Sequence, residues 1–514
     1  MSAHNPHDEM QEDDEEEEAM LDQNEAEEEI EGDEDGDVHM DSDPEDEEIL
    51  LQNDSSAHFD GHKDSVFCIA AHPVHPQIVL TGGGDDVAYI WDSTPPERPL
   101  LPQSYESNPQ PVERPSQNTI MKLEGHEDSV NAVTFTLPKG QYAVTAGLDG
   151  RLRTYQGTPD GTRWKFLAEV REVEEINWLA PCPNPDQKNV IALGANDGSV
   201  WVYTINAADK SSPVTIVNVF NGHTGSCTAG AWTPDGKLLA TVSEDESLYV
   251  WDVFGEAAAA GVISPQAGNS VVSLTGADER FKVEGGLYSV AIAPNGTFLA
   301  TGGAGGHIRV VGLPRLSEQG AASTGSKGAG AKSKAGGSKQ AGTSASGQAG
   351  QILNSLQLSS QAENDSVETI SFASPPLTLM AVGSVDGAIA LYDTAHRFAV
   401  RRHIRDAHDG EAVIKAEFVR SEGPGGWILT SAGNDGVVRR WDARGGTAAA
   451  AQGLVGEWRG HRGGGDGGGV LGFVQMNDRV VTAGDEYVSH DFRLRMDVLT
   501  DCSSVALVFE TPIA

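Results

Sequence analysis

An all-β body of small sheets arranged radially, a β-propeller, is what this chain predicts, and three observations predict it. First, the 514 residues contain eight similar units, at about 61–92, 125–156, 169–205, 222–252, 285–313, 352–393, 406–442 and 460–494, the repeat length of roughly 40 residues that radial arrays use. Second, the units alternate in strand fashion, as in Val66-Phe67-Cys68-Ile69-Ala70 and Leu238-Leu239-Ala240-Thr241-Val242, with turn signals such as Pro234-Asp235-Gly236 between strands. Third, six units place an Asp six positions before an aromatic residue: Asp85/Trp91, Asp149/Tyr155, Asp197/Tyr203, Asp245/Trp251, Asp386/Tyr392 and Asp435/Trp441. Eight units predict eight blades of four strands each.

The chain opens on an acidic tail. Residues 1–54 hold 26 Asp and Glu and no Lys or Arg, a composition that cannot bury enough apolar surface to offset its ordering entropy, so this segment is expected to be disordered. The propeller is expected over 55–494. Its clearest units run from Gly61-His62 to Trp91-Asp92 and from Gly222-His223 to Trp251-Asp252, a pattern that resembles the WD40 repeat. That resemblance implies a hydrogen-bonded set inside each blade made of a His, a Ser or Thr, the turn Asp and the Trp. The residues that fit are His62, Thr81, Asp85 and Trp91; His126, Thr145 and Asp149; His223, Thr241, Asp245 and Trp251; and Ser431, Asp435 and Trp441 with His408. Such a set satisfies its own buried polar atoms, so these histidines read as structural rather than catalytic.

Three units depart from the pattern. The third replaces Gly-His with Glu172-Val173-Glu174-Glu175, the fifth has Gly305 where the Asp should be, and the eighth carries His461 and Asp485 but ends irregularly. Ring closure by a strand from the far terminus assigns residues 55–60 to the last blade. Residues 320–350, rich in Gly, Ala, Ser and Lys, read as a flexible insertion between two blades. Residues 495–514 read as a C-terminal extension.

Composition narrows the function. Beyond the tail, 51 acids face 35 bases, so nucleic-acid phosphates would be repelled and basic partners attracted. The four cysteines lie far apart, without zinc-ligand or redox spacing, which suits a reducing compartment. No signal peptide and no run of about 18 apolar residues is present. No phosphate loop, nucleophile elbow or metalloprotease motif survives inspection. The expectation is a monomeric intracellular binding protein, cytoplasmic and also nuclear, with no enzyme activity, cofactor, metal, membrane or direct nucleic-acid contact.

In a propeller the loop before each innermost strand and the turn holding the Asp open on one face. Those positions are acidic here: Asp64, Glu127, Asp128, Glu172, Glu174, Glu175, Glu284, Asp365, Glu368, Asp409 and Glu411 from loops, Glu244 and Glu246 from a turn, with Lys63 and Lys415 the nearest bases. A converging set would make a negative rim that focuses field onto a basic ligand.

Several stretches resemble one family more closely. They are Phe59-Asp60-Gly61-His62-Lys63-Asp64-Ser65-Val66-Phe67, Thr81-Gly82-Gly83-Gly84-Asp85-Asp86, Gly125-His126-Glu127-Asp128-Ser129-Val130, and Glu172 to Trp178 with Gly194-Ala195-Asn196-Asp197-Gly198. Together they resemble the family of angio-associated migratory cell protein, whose fungal members are dedicated chaperones of one large-subunit ribosomal protein, the L-ten family (L-sixteen in the universal nomenclature). The resemblance implies capture of the basic N-terminal segment of that newly made protein and its protection until late assembly of the large subunit. Two rival readings stay open: an acidic chaperone of histones or another basic nuclear protein, and a substrate receptor of a cullin ubiquitin ligase, for which Trp441-Asp442-Ala443-Arg444 has the docking form.

Overall fold

The computed structural model describes residues 53–96, 116–263, 268–316, 348–358, 366–420, 424–444, 453–463, 467–476, 478–485 and 505–511. Residues 1–52 of the expected tail and most of the 320–350 insertion lie outside them, whereas Asp54 already donates its N–H to the Arg459 carbonyl at 2.7 Å. The described residues form eight antiparallel four-stranded sheets. The innermost strands are Val66–Ala71, Val130–Phe135, Ile176–Pro181, Cys227–Trp232, Leu287–Ile292, Val367–Phe372, Val413–Phe418 and Val470–Gln475, in blades 1 to 8. Each lies beside the next, and the eighth lies beside the first, so the ring is closed.

Every large apolar cluster straddles two neighbouring blades. Leu80 and Ile90 of blade 1 pack with Phe135 and Tyr155 of blade 2, Val144 and Leu152 of blade 2 pack with Ile191 and Leu193 of blade 3, and so on to the seam where Val481 and Val508 of blade 8 meet Val79 and Trp91 of blade 1. The alternation seen in the sequence therefore feeds two different seams, one on each face of each sheet.

Closure uses both termini. Ala57–Phe59 is the outermost strand of blade 8, paired with Ala506–Glu510 through Ala57↔Val508 and Phe59↔Ala506. Ala506–Glu510 in turn pairs with Arg479–Gly484. Residues 506–510 are thus the third strand of the last blade and not part of an extension beyond it. The repeat signature missed them because the chain between 485 and 505 breaks the spacing, although Ala506-Leu507-Val508-Phe509 carries strand-like residues. Phe59 then stacks on Trp91 of blade 1, with ring centres 4.8 Å apart.

The insertion is also relocated. The blade 5 strands His307–Gly312 and Ile352–Gln357 flank it, so it interrupts one blade rather than joining two. The repeat unit ends at the third strand, whereas the blade takes its fourth strand from just before the next Gly-His.

The polar set inside the blades has the expected members in blade 1. His62 Nδ1 lies 3.0 Å from Asp85, His62 Nε2 lies 3.0 Å from Thr81 Oγ1, and Trp91 Nε1 donates to Thr81 Oγ1 at 3.3 Å. A carboxylate can only accept, so Nδ1 carries the imidazole proton, Nε2 accepts from the threonine hydroxyl, and that oxygen accepts from the indole. His126, Thr145 and Asp149 repeat the geometry, as do His408, Ser431, Asp435 and Trp441. Blade 4 varies it: His223 Nδ1 contacts Ser247 Oγ at 2.6 Å, and Asp245 stands 3.8 Å away. The glycine before the histidine is sterically required, since a Cβ at Gly222 would come within 2.6 Å of Trp251. In blade 8, His461 Nε2 reaches Thr482 at 2.7 Å. Asp485, however, aligns with Gly84 and Leu148, one residue ahead of the turn Asp of blades 1 and 2. It accepts from Ser65 Oγ of blade 1 instead of serving its own histidine.

Phe509 is fully buried at the seam between blades 7 and 8, so Phe509→Ala should destabilise the propeller by about 3–5 kcal/mol in chemical denaturation. Acid should weaken the fold in a defined window. Burial drives His223 from an ordinary value of 6.5 down to about 4 against the pull of Asp245, and burial together with His75 does the same to His72. The unfolded chain then binds protons first, so stability should fall as pH drops from 6.5 towards 4. Burial raises Asp245, but hydrogen bonds from Ser247, Thr224 and Ser243 outweigh it and hold the carboxyl at about 2, which extends the loss below pH 4. Denaturation midpoints that stay flat between pH 6.5 and 4 would contradict this account.

Candidate functional site

In three of the four polar sets the aspartate also fixes the loop beside it. Asp85 accepts from the Lys63 N–H at 3.0 Å, Asp149 from Glu127 at 2.9 Å and Asp245 from Thr224 at 2.5 Å. These three loops, which lead into the innermost strands, are thereby pinned by atoms of the blade interior. A second bond joins loop and turn in all eight blades. The N–H of Gly84, Leu148, Asn196, Glu244, Ala304, Val385, Asn434 or Asp485 donates to the carbonyl just before the innermost strand, at 2.8–3.2 Å. Loops and turns therefore share one face.

That face is acidic. Glu127, Asp128, Glu172, Glu174, Glu244, Glu284 and Asp409 are exposed, and Asp64, Glu175, Glu246, Glu368 and Glu411 are half-buried. Asp365 lies outside the described residues. Some of these carboxylates are already neutralised: Glu127 by Arg151, Glu284 by Lys282 at 2.7 Å and Asp409 by Arg439 at 2.8 Å. Asp64 and Asp128 accept only neighbouring backbone N–H groups, from Ser65 and Ser129 at 2.7 Å. The side chains of Glu174, Glu175 and Glu411 have no hydrogen bond or ion pair among the described residues. Lys415 is not available to offset them, since it donates to the Phe473 carbonyl at 2.8 Å and lies 3.4 Å from Glu417.

The fields of different blades overlap. Asp86, in the turn of blade 1, has its carboxyl pushed above the ordinary range by burial and then by Asp128 of blade 2. Tyr288, on the innermost strand of blade 5, is raised by burial and then by Glu244 of blade 4 and Glu368 of blade 6.

The third blade differs for a physical reason. With Glu172 at the histidine position and Leu193 at the threonine position, it has no polar set to satisfy. Val173 turns inward instead and packs with Ile176, Ile191 and Tyr203. Asp197 bonds Ser199 within its own turn, at 2.8 Å to N and 2.6 Å to Oγ. The loop is anchored by an apolar plug rather than by a polar set.

The repeat pattern did not reveal the rim of the channel. All eight innermost strands carry a register shift across their second residue: Phe67, Asn131, Asn177, Thr228, Tyr288, Glu368, Ile414 and Leu471. A bulge re-aims a side chain and leaves a ladder carbonyl unpaired. Three of these residues meet that need in the next blade: Asn131 donates to Ile176 O at 2.7 Å, Asn177 to Cys227 O at 3.0 Å and Thr228 to Leu287 O at 2.6 Å. Phe67 is left 39% exposed, and Leu148 and Val385 from two turns are similarly open. The acidic face thus also offers apolar contacts. Among the described residues no group of three or more His, Cys, Asp or Glu is placed to hold a metal ion, and no helix is long and apolar enough to cross a membrane.

The sequence model described as WD domain, G-beta repeat matches residues 53–92, 117–156, 214–252 and 270–311. The chain is 28% identical over 466 residues to ribosome assembly protein SQT1 of Saccharomyces cerevisiae, covering 84% of this chain and 85% of that protein. It is 26% identical over 427 residues to human angio-associated migratory cell protein, covering 82% and 76%. The crystal structure of Chaetomium thermophilum Sqt1 bound to the N-terminus of the ribosomal protein L10 is similar with a TM-score of 0.71 and 47% identity, covering 90% of this chain and all of that one.

The overlap of fields can be tested without any ligand. Asp128→Asn should bring the Asp86 carboxyl back down towards the ordinary range in a carboxyl-carbon NMR titration. An unmoved Asp86 midpoint would mean that the carboxylates of blades 1 and 2 act independently.

Proposed function

Because the chain belongs to the WD-repeat family of Sqt1 and angio-associated migratory cell protein, we propose that it is a ribosome-assembly chaperone that captures the basic N-terminal segment of a newly made large-subunit ribosomal protein. The observation that carries this reading is the set of unneutralised carboxylates on one face, contributed by several blades whose fields overlap. An extended Arg- and Lys-rich segment crossing the loop face meets Asp64, Asp128, Glu174, Glu175, Glu244, Glu368 and Glu411, and arginine pairs with such groups in bidentate geometry. Holding the segment there keeps it from RNA phosphates and in solution until the ribosomal site accepts it. No bond is made or broken in this task, so the protein acts as a binding partner and not as an enzyme. The cytoplasm, where the client is synthesised and the large subunit matures, is its place of action.

The third blade supplies the sharpest test. Glu174→Lys with Glu175→Lys removes two attractions and installs two repulsions. A charge-assisted hydrogen bond is worth roughly 1.5–3 kcal/mol, so affinity for the basic N-terminal peptide should fall about tenfold or more in calorimetric titration. Added salt should weaken the wild-type complex, because partly exposed pairs are screened over about 8–10 Å. The fold should survive, since Glu174 is exposed and Glu175 is only half-buried, and neither belongs to a polar set. A folded double variant with unchanged affinity would remove this face from the mechanism, and preferential capture of histones over the ribosomal segment would favour the nuclear-chaperone reading.

A further inference from the structure

In blades 2 to 8 the second residue of the innermost strand is half-buried at the rim of the loop face. In blade 1 that residue is Phe67, and it is 39% exposed. Tyr288, the other aromatic residue at this position, is tied down by its hydroxyl, which donates to the Gly285 carbonyl at 2.7 Å. The Phe67 ring has no such anchor. Among the described residues no aromatic ring or cation stacks on it. The protein uses that kind of contact elsewhere, with Arg153 over Phe166 at 4.8 Å and Lys415 over Phe473 at 4.9 Å.

What stands beside the ring sets its chemistry. The residue that opens the turn carries a side chain in blades 2 to 8, Leu148 and Val385 among them, but in blade 1 it is Gly84. A Cβ at Gly84 would come within 3.2 Å of both Asp64 Oδ2 and Phe67 Cε2. The glycine thus lets the carboxylate and the ring edge lie together without a side chain between them. Asp64 Oδ1 accepts the Ser65 N–H at 2.7 Å, whereas Oδ2 has no hydrogen bond among the described residues. Other carboxylates add to the field there. Asp86, in the same turn as Gly84, has its carboxyl raised by burial and then by Asp128 of blade 2. An apolar side chain docked on Phe67 would cover Asp64 Oδ2 without giving it a partner, which is costly. A cation with a flat apolar face satisfies ring and carboxylate together.

We propose that Phe67 is the residue by which this face tells arginine from lysine: its ring stacks one guanidinium of the docked segment, and Asp64 Oδ2 accepts from the edge of that guanidinium. The inference rests on the reading of this face as the docking site of a basic segment, and it names which cation the face selects. A guanidinium is planar and weakly hydrated, so it can lie on an aromatic face and still present its N–H fork to a carboxylate. An ammonium is a compact, strongly hydrated point charge, which gives up more water to take the same place. Net charge alone would not make that distinction. Blade 1, through Phe67, Gly84 and Asp64, does.

Two measurements decide it. The first needs no client. The full chain, labelled with carbon-13 in its phenylalanine rings, is titrated with N-acetyl-arginine amide and with N-acetyl-lysine amide, and the Phe67 signal is identified by its loss in Phe67→Leu. The arginine compound should move that signal saturably and at lower concentration than the lysine compound, and Asp64→Asn should shrink the difference. The second compares the basic N-terminal peptide with a version in which every arginine is lysine, against the wild type, Phe67→Leu and Phe67→Trp. The wild type's preference for the arginine peptide should exceed that of Phe67→Leu by roughly threefold to tenfold, the range of a partly exposed contact between cation and ring. Phe67→Trp should keep the preference, because indole offers a cation the stronger face. Phe67 is partly exposed, so both variants should fold, which their denaturation midpoints would show. If Phe67→Leu weakens the two peptides equally, the ring is only an apolar contact and the proposal falls. An equal response of the ring signal to the two amides, or none, overturns it as well. If neither peptide binds the wild type, the docking reading fails while the amide titration still decides what Phe67 selects.

Discussion

No blade of this protein owns a core. Each sheet is apolar on both faces, and each face is covered only by the neighbouring sheet, so the eight clusters of buried side chains lie at the eight seams. An array with that property is stable only if it closes, since an open one would leave two apolar faces in water at roughly 25 cal/mol for each Å² uncovered. Closure falls to Ala57–Phe59 and Ala506–Glu510, strands from opposite ends of the chain that must find one another. Folding is therefore bound to a contact of very long sequence separation, with Ser56 Oγ donating to Val508 O across it at 3.0 Å. The last seam is reinforced on the loop face, where Ser65 of blade 1 donates to Asp485 of blade 8.

The same architecture explains why the loop face can hold so much like charge. Carboxylates crowded on flexible loops would move apart. Here three of the loops are fixed from below by Asp85, Asp149 and Asp245, and all eight beside the turns by a backbone bond repeated in every blade. The cost of like-charge repulsion is met by interior packing and buried hydrogen bonds, and the field is held ready for a cationic ligand. Blade 3 shows the trade most plainly. It gives up the polar set, anchors its loop with Val173, and gains Glu174 and Glu175 without a side-chain partner among the described residues.

Departures from the repeat thus mark where blades differ in use. Blade 3 loses its histidine and gains exposed acids. Blade 5 loses its histidine, aspartate and tryptophan together and keeps a buried arginine that no carboxylate among the described residues answers. Consistent repeats carry the fold, and the inconsistent ones change what the loop face presents.

Much of this was legible from residue order alone. The Asp and aromatic pairs of six units pointed to the fold, and the eight similar units to the blade number, because a buried polar set works only with those residues at those spacings. His62, Thr81, Asp85 and Trp91 meet within hydrogen-bond distance as their spacing required. The acidic character of the loop face could also be read, since strand alternation dictates which positions are loops. Tertiary structure alone decided the rest. The bulges that turn Phe67, Tyr288 and Glu368 towards the rim depend on pairing between strands, and the third strand of the last blade, Ala506–Glu510, is assigned by its partners on either side. Whether a given carboxylate is free or already neutralised depends on which side chain the neighbouring strand brings opposite it, as Arg151 to Glu127 and Arg439 to Asp409. Spacing along one chain fixes what each blade contains; only the closed ring fixes what each residue faces.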